Sequence, residues 1–202
     1  MSLHRFLIGF LLRFALFYGI LIFPWPGWNN LYSQGFRAVG NAVFGSTDGN
    51  RVLYFEAHRQ TQGLASIDSR IVLGNRDLAD STGKGPVSLL GVDARSIGWT
   101  PTALTIALIL ASPVQWRRRI WALLWGLLLI HAFILLSVAI YIWNESTNVS
   151  LLTLSPFWKQ IADGLQYTLV TQMGVSFSMP ILIWILATFR KEDLVFSRTK
   201  AA

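Results

Sequence analysis

The chain has 202 residues, of which 53% are hydrophobic and only 13% charged, well below the roughly 25% charged residues usual in a soluble domain. The formal net charge of +7 sits beside apolar runs, where basic residues set topology, and no Lys/Arg stripe with interleaved aromatics appears, so nucleic acid is not an expected partner. The absence of cysteine excludes disulfides, thiol catalysis and Cys-based zinc or iron–sulfur sites together.

Residues 1–23 predict a first transmembrane helix. A short polar start with His4 and Arg5 precedes an apolar run over 6–23, interrupted by Arg13. A signal peptidase needs small residues after such a run, but Phe23-Pro24-Trp25-Pro26-Gly27-Trp28 is bulky, which favours an uncleaved signal anchor. Arg13 lies about 12 Å of helix below Arg5. Either it snorkels to the basic side, or it faces other helices and pairs with a polar or acidic group.

Residues 24–96 predict an extracytoplasmic α+β region. Over 28–44, Leu31, Gly35, Val39 and Val43 recur near the helical period, with Asn29, Asn30, Ser33, Gln34, Arg37 and Asn41 elsewhere. This is the pattern of a helix lying along the membrane surface, with Trp25 and Trp28 at headgroup level. After the turn cluster at 45–50 the period becomes two. In 51–58, Leu53, Phe55 and Ala57 oppose Tyr54, Glu56 and His58; in 67–73, Ile67, Ile71 and Leu73 oppose Asp68 and Arg70. The second strand is expected to break at 74–77, and a third is expected over 87–92. Such a small antiparallel sheet is not stable alone and should lean on the amphipathic helix and the membrane helices.

Residues 97–116 predict a second transmembrane helix, with Thr100 as N-cap, Pro101 at the first helical position and Pro113 as terminator. Residues 117–143 hold a basic turn, Arg117, Arg118 and Arg119, and a third transmembrane helix. Residues 144–164 predict a polar extracytoplasmic link, in which Ser155-Pro156 repeats the cap-then-proline start. Residues 165–189 predict a fourth transmembrane helix, kinked at Pro180. Residues 190–202 form a tail opened by Arg190 and Lys191. The expected fold is thus an α-helical integral membrane protein of four spans, each needing about 20 apolar residues, with a small α+β insertion between the first two. With Arg117, Arg118, Arg119, Arg190 and Lys191 as topology anchors, both termini fall in the cytoplasm and 24–96 outside it, as in a bacterial inner (plasma) membrane. The outer region's seven bases (Arg37, Arg51, Arg59, Arg70, Arg76, Lys84, Arg95) nearly balance its six acids (Asp48, Glu56, Asp68, Asp77, Asp80, Asp93).

His131, near the middle of the third span, is a functional candidate by position. It could serve as a haem or metal ligand, a proton relay, or a neutral imidazole hydrogen-bonded to Gln172, Thr171 or Ser176. The absence of a second histidine in any span excludes a bis-His haem within one chain. Glu56 and His58 at i, i+2 are a metal-type pair that strands often carry by accident. A Ser–His–Asp set from His58 and Asp68 lacks a Gly-x-Ser-x-Gly elbow. No catalytic, cofactor or metal site is therefore expected. The candidate partner surface is Tyr54, Glu56, His58, Asp68, Arg70 and Arg76, a mix of charge and one aromatic suited to a protein partner.

The hairpin Ala107-Leu108-Ile109-Leu110-Ala111-Ser112-Pro113, then Trp116-Arg117-Arg118-Arg119-Ile120-Trp121 leading to Gly126, resembles the core hairpin of exosortases. These membrane transpeptidase-like proteins process carboxy-terminal sorting signals with Cys, Arg and His. The absence of any Cys, and His131 where the family tends to carry Asn and Arg, keep that catalytic function from any position here. Taken whole, the chain is more similar to the small membrane proteins that accompany exosortases, particularly the companion of exosortase H. That resemblance implies a non-catalytic accessory protein of cell-envelope protein sorting, working through an exosortase-like membrane partner. Two alternatives stand beside it: a small transporter or proton-relay subunit using Arg13, His131 and Gln172, and a membrane enzyme with its site in the outer region.

Overall fold

The computed structural model describes residues 3–47, 51–58, 67–80, 85–152, 154–168 and 173–189; Gln172, Arg190 and Lys191 lie outside them. The described chain is mostly helical, with one small sheet. Its elements in order are α1 (Leu3–Ile22), α2 (Trp28–Phe44), β1 (Arg51–Ala57), β2 (Ser69–Asn75), β3 (Val87–Val92), a π-helical turn (Arg95–Trp99), α3 (Thr100–Ala111), α4 (Trp116–Asn148), α5 (Pro156–Gln166) and α6 (Met173–Thr188). They divide into two compact units, one built from residues 1–23, 100–133 and 176–202, the other from 24–99 and 134–175.

The first unit is a helical cluster. Its α3 is sheathed on every side, with Ala103, Leu104, Ala107, Leu108, Ile109 and Ala111 all buried, and α1 packs along it. A Cβ on Gly126 would stand 2.6 Å from Ile109 Cδ1, so glycine is what lets α4 approach α3 this closely. The outward faces are as apolar as the inward ones. Leu7, Leu12, Leu16 and Ile20 on α1, and Trp121, Leu124, Trp125 and Leu128 on α4, are all exposed.

Among the described residues, one helix is long and apolar enough to cross a membrane. That is α4, whose 33 residues reach about 50 Å at helical rise, against a hydrocarbon core of about 30 Å. The apolar parts of the first and last helices, Leu7–Ile22 and Gly174–Thr188, are shorter. The span expected over 97–116 contains a 12-residue α3. It stops at Ala111 because Pro113 disfavours helix in the residue before it and brings no N–H of its own. Thr100 is not an N-cap, since the π-turn runs directly into α3. At its far end α4 continues five residues past Trp143, where the sequence predicts a link. Ser146 Oγ donates to Ile142 O (2.7 Å) and Thr147 Oγ to Asn144 O (2.7 Å), which keeps these polar residues helical. Pro180 is buried inside α6 without ending it.

In the second unit the three strands pair antiparallel in the order β1-β2-β3. Their inner face contributes Phe55, Ile71, Leu73, Leu90 and Val92 to a core shared with Val138, Ile142 and Val149, and Phe36 and Phe44 of α2 pack against it. The strands alternate as the sequence predicts, with two corrections. β2 runs on through Gly74 to Asn75, where Asn75 N–H bonds Pro86 O (3.2 Å) and Asn75 Nδ2 reaches Ser150 O (3.1 Å). Ile67 precedes β2, and its side chain lies against Gly91, 2.9 Å from where a Cβ would stand. Gly91 pairs with Arg70, so Ile67 covers the face opposite Ile71 and Leu73.

The amphipathic helix α2 presents a mixed face to the sheet, with Phe36 and Phe44 packed beside polar side chains. Arg37 and Asn41 grip the sheet: Arg37 donates to Ser69 Oγ (3.1 Å) and Asn41 bonds Phe55, while Ser33 and Gly40 are buried and Asn29, Asn30 and Gln34 stay exposed. Its apolar stripe, Leu31, Val39 and Val43, is exposed.

Candidate functional site

The outer face of the sheet carries most of the residues singled out in the sequence. Strand alternation sends Val52, Tyr54 and Glu56 of β1 there, beside Arg70 and Val72 of β2 and Val87 and Leu89 of β3. Glu56 and Arg70 are direct cross-strand partners. Arg70 Nη1 lies 3.6 Å from Glu56 Oε1 and Arg70 Nη2 lies 2.7 Å from His58 Nδ1. A guanidinium only donates, so His58 Nδ1 accepts and the imidazole is the neutral Nε2–H tautomer. The guanidinium thus stands between carboxylate and imidazole and keeps them from forming an acid–base pair. Both charges are about a third exposed, which limits the ion pair to about 1 kcal/mol or less.

Beyond this polar corner the face is apolar and open. Tyr54, Val87 and Leu89 are 37%, 57% and 54% exposed and line a hollow of about 320 Å³ that Glu56 and Arg76 also border. Five of the six predicted surface residues are therefore gathered around one face. Asp68 is not among them. Its Oδ1 accepts from Ala94 N–H (3.2 Å), and its carbonyl accepts from His58 N–H (3.1 Å) and Arg37 Nη1 (3.3 Å). It is a brace for the turn after β3.

The two edges of the sheet differ. At the β1 edge, Leu53 exchanges both backbone bonds with Ser46 (2.9 and 2.7 Å). The Asn41 side-chain amide takes both backbone groups of Phe55 (2.7 and 2.9 Å). The last residues of α2 and its exit thus close that edge. At the outer edge of β3, no described residue makes a backbone bond of this kind. Sequence patterning does not reveal the Asn41 bonds, because Asn41 reads equally well as a solvated residue of a surface helix.

The candidates that the sequence predicts within spans do not form a constellation. Arg13 is exposed on α1, and no described side chain pairs with it. His131 is exposed on α4, with Nδ1 2.8 Å from Leu127 O one turn back. A carbonyl only accepts, so Nδ1 carries a proton. Thr171 and Gln172 lie outside the described residues.

The triple arginine is more than a set of free charges. Arg117 is exposed, but Arg118 Nη2 donates to Thr188 O at the end of α6 (2.7 Å). Arg119 Nη2 donates to Ser112 O (2.9 Å), with Val114 O at 3.4 Å, while its guanidinium lies over the Trp116 ring at 5.5 Å. Two of the three anchors therefore cap helix-end carbonyls, which have no intrahelical donors.

Among the described residues, no group of three or more His, Asp or Glu side chains is placed to hold a metal. Comparison of the chain with protein-family models, with curated proteins and with solved structures finds no match in any of the three.

Proposed function

We propose that the chain is a non-catalytic accessory subunit of a cell-envelope protein-sorting machine of the exosortase type, anchored in a bacterial inner membrane. In this reading α1, α3, α4 and α6 are four spans, both termini are cytoplasmic, and residues 24–96 are outside. The apolar outer faces of α1 and α4 support immersion in lipid, and the outward Leu31–Val39–Val43 stripe of α2 supports a surface-lying helix.

The observation that carries the functional reading is the asymmetry of the sheet. Its β1 edge is closed by Asn41 and Ser46, while no described residue pairs with the outer edge of β3, next to exposed Val87 and Leu89. An open edge beside alternating apolar side chains suits addition of an extended peptide strand. The Glu56–Arg70–His58 corner gives that strand a polar end to align with. The relay alternative gains nothing from Arg13 and His131, whose side chains make no contact with each other or with a second titratable group among the described residues.

A photoreactive residue at position 89 tests the reading in intact cells. The expected outcome is a crosslink to one larger membrane protein that also co-purifies in detergent. Turnover of a substrate by the isolated chain would reverse the assignment in favour of an enzyme.

A further inference from the structure

In the first unit, α1, the turn after α3 and the end of α6 border a half-open cavity of about 620 Å³. Its walls are largely apolar, with Leu7, Phe10 and Trp184 among them, while Arg118 and Thr188 give it a polar end. A second cavity of about 460 Å³, walled by Trp121 and Trp125, shares Arg118 and Phe189 with the first. Thr188 is 1% exposed, and its hydroxyl has no hydrogen-bond partner. A buried hydroxyl in that state is costly, and a turn of the side chain toward the cavity that Thr188 lines gives it an acceptor from outside the chain. The charge is equally one-sided. The described residues of this unit include Arg5, Arg13, Arg117, Arg118 and Arg119 and no Asp or Glu.

We propose that the two cavities hold the acyl chains of one anionic phospholipid, whose phosphate sits on Arg118 and accepts a hydrogen bond from the Thr188 hydroxyl. Guanidinium and hydroxyl together supply the donors that a phosphate needs; a zwitterionic head carries the same phosphate, so the preference between lipids rests on net charge. The choline of a zwitterionic lipid finds no carboxylate among the described residues here to balance it. A free phosphate ion would fill only the polar end and leave the aromatic walls uncovered. The assignment rests on the membrane reading proposed above.

The test uses the full chain reconstituted in nanodiscs of phosphatidylcholine and phosphatidylglycerol in equal amounts, followed by native mass spectrometry. One phosphatidylglycerol should remain bound. Thr188→Val should lower its retention roughly ten- to hundredfold, the effect of removing a hydrogen bond to a charged group. Leu7→Trp should expel the lipid by filling the cavity while leaving every polar contact in place. Arg118→Gln also uncaps Thr188 O, so the first two variants carry the test if it fails to fold. Equal retention of the two lipids, wild-type retention by both Thr188→Val and Leu7→Trp, or displacement by inorganic phosphate would each overturn the proposal. Release of the chain from membranes by alkaline carbonate would overturn the membrane reading with it, whereas an integral protein without lipid preference would overturn the lipid site alone.

Discussion

The side-chain amide of Asn41 pairs with Phe55 as a neighbouring strand would. Its Oδ1 accepts the Phe55 N–H at 2.7 Å and its Nδ2 donates to the Phe55 carbonyl at 2.9 Å. One residue of a helix thereby substitutes for a stretch of β-strand and seals an edge that would otherwise attract another chain. Gly40 beside it makes this possible, because a Cβ there would stand 2.7 Å from the Phe55 ring.

Asn41→Ala should therefore destabilise the second unit by about 2 kcal/mol, the cost of leaving two partly buried backbone groups unsatisfied. Thermal melting in detergent and hydrogen exchange at the Phe55 amide would report it. A wild-type melting curve with unchanged Phe55 protection would mean that the edge is held some other way.

Arg70→Glu places two carboxylates directly across the β1–β2 ladder and releases His58. Stability should fall by about 1 kcal/mol or less, because the pair is partly exposed, while recovery of the membrane partner on co-purification should drop sharply. Arg70→Lys keeps the charge but cannot bridge Glu56 and His58 in the same way, and should be intermediate.

Neighbouring residues of β3 should behave in opposite ways. Leu89 is exposed and Leu90 is 8% exposed in the core. Leu89→Lys should leave melting unchanged and abolish partner capture. Leu90→Lys should unfold the second unit, costing about 3 kcal/mol or more for a charge forced into an apolar core. Equal partner capture by Leu89→Lys and wild type would remove β3 from the interface.

His131→Gln should accumulate and function as the wild type does, since the imidazole bonds only a carbonyl of its own helix. Arg13→Leu should be neutral to slightly stabilising, within about 0.5 kcal/mol. A large loss from Arg13→Leu, measured as protein level in membranes, would reveal a buried partner charge.

Topology reporters fused after Asn75 and Leu152 should read outside, and those after Arg119 and Ala202 inside. The outer site belongs at Leu152 because Asn144 is still within α4. An inside reading at Asn75 would remove the four-span arrangement.

Much of the fold is legible in the sequence where one period dominates. The alternation in 51–58 sorts inner from outer side chains, and α2 begins and ends where its pattern does; over 87–92 the strand is legible but its faces are not, because Val87 and Leu89 point outward and Ser88 inward. The failures have local causes. Thr100-Pro101 has the chemistry of a helix start, yet the π-turn before it supplies a helical lead-in that no propensity announces. Asp68 alternates with Ile67 and Ile71 on paper, but Ala94 N–H lies within reach and turns it away from the outer face. Arg118 reads only as a topology charge because its partner, a carbonyl 70 residues away at Thr188, leaves no trace in local sequence. The Glu56–Arg70–His58 corner follows from register, which periodicity narrows but does not fix.

The α3–α4 turn also bears on how the chain is made. Ser112 Oγ donates to Leu108 O (2.8 Å) and Arg119 reaches Ser112 O, so the carbonyls at the end of α3 find donors within residues 108–119. Trp184 Nε1, which bonds Ser112 Oγ at 2.7 Å, comes 72 residues later. At about 5–20 residues per second, the ribosome delivers it some 4–14 s after Ser112. The hairpin carries its own donors through that interval, so it can form as a finished piece, with α6 docking onto it afterwards.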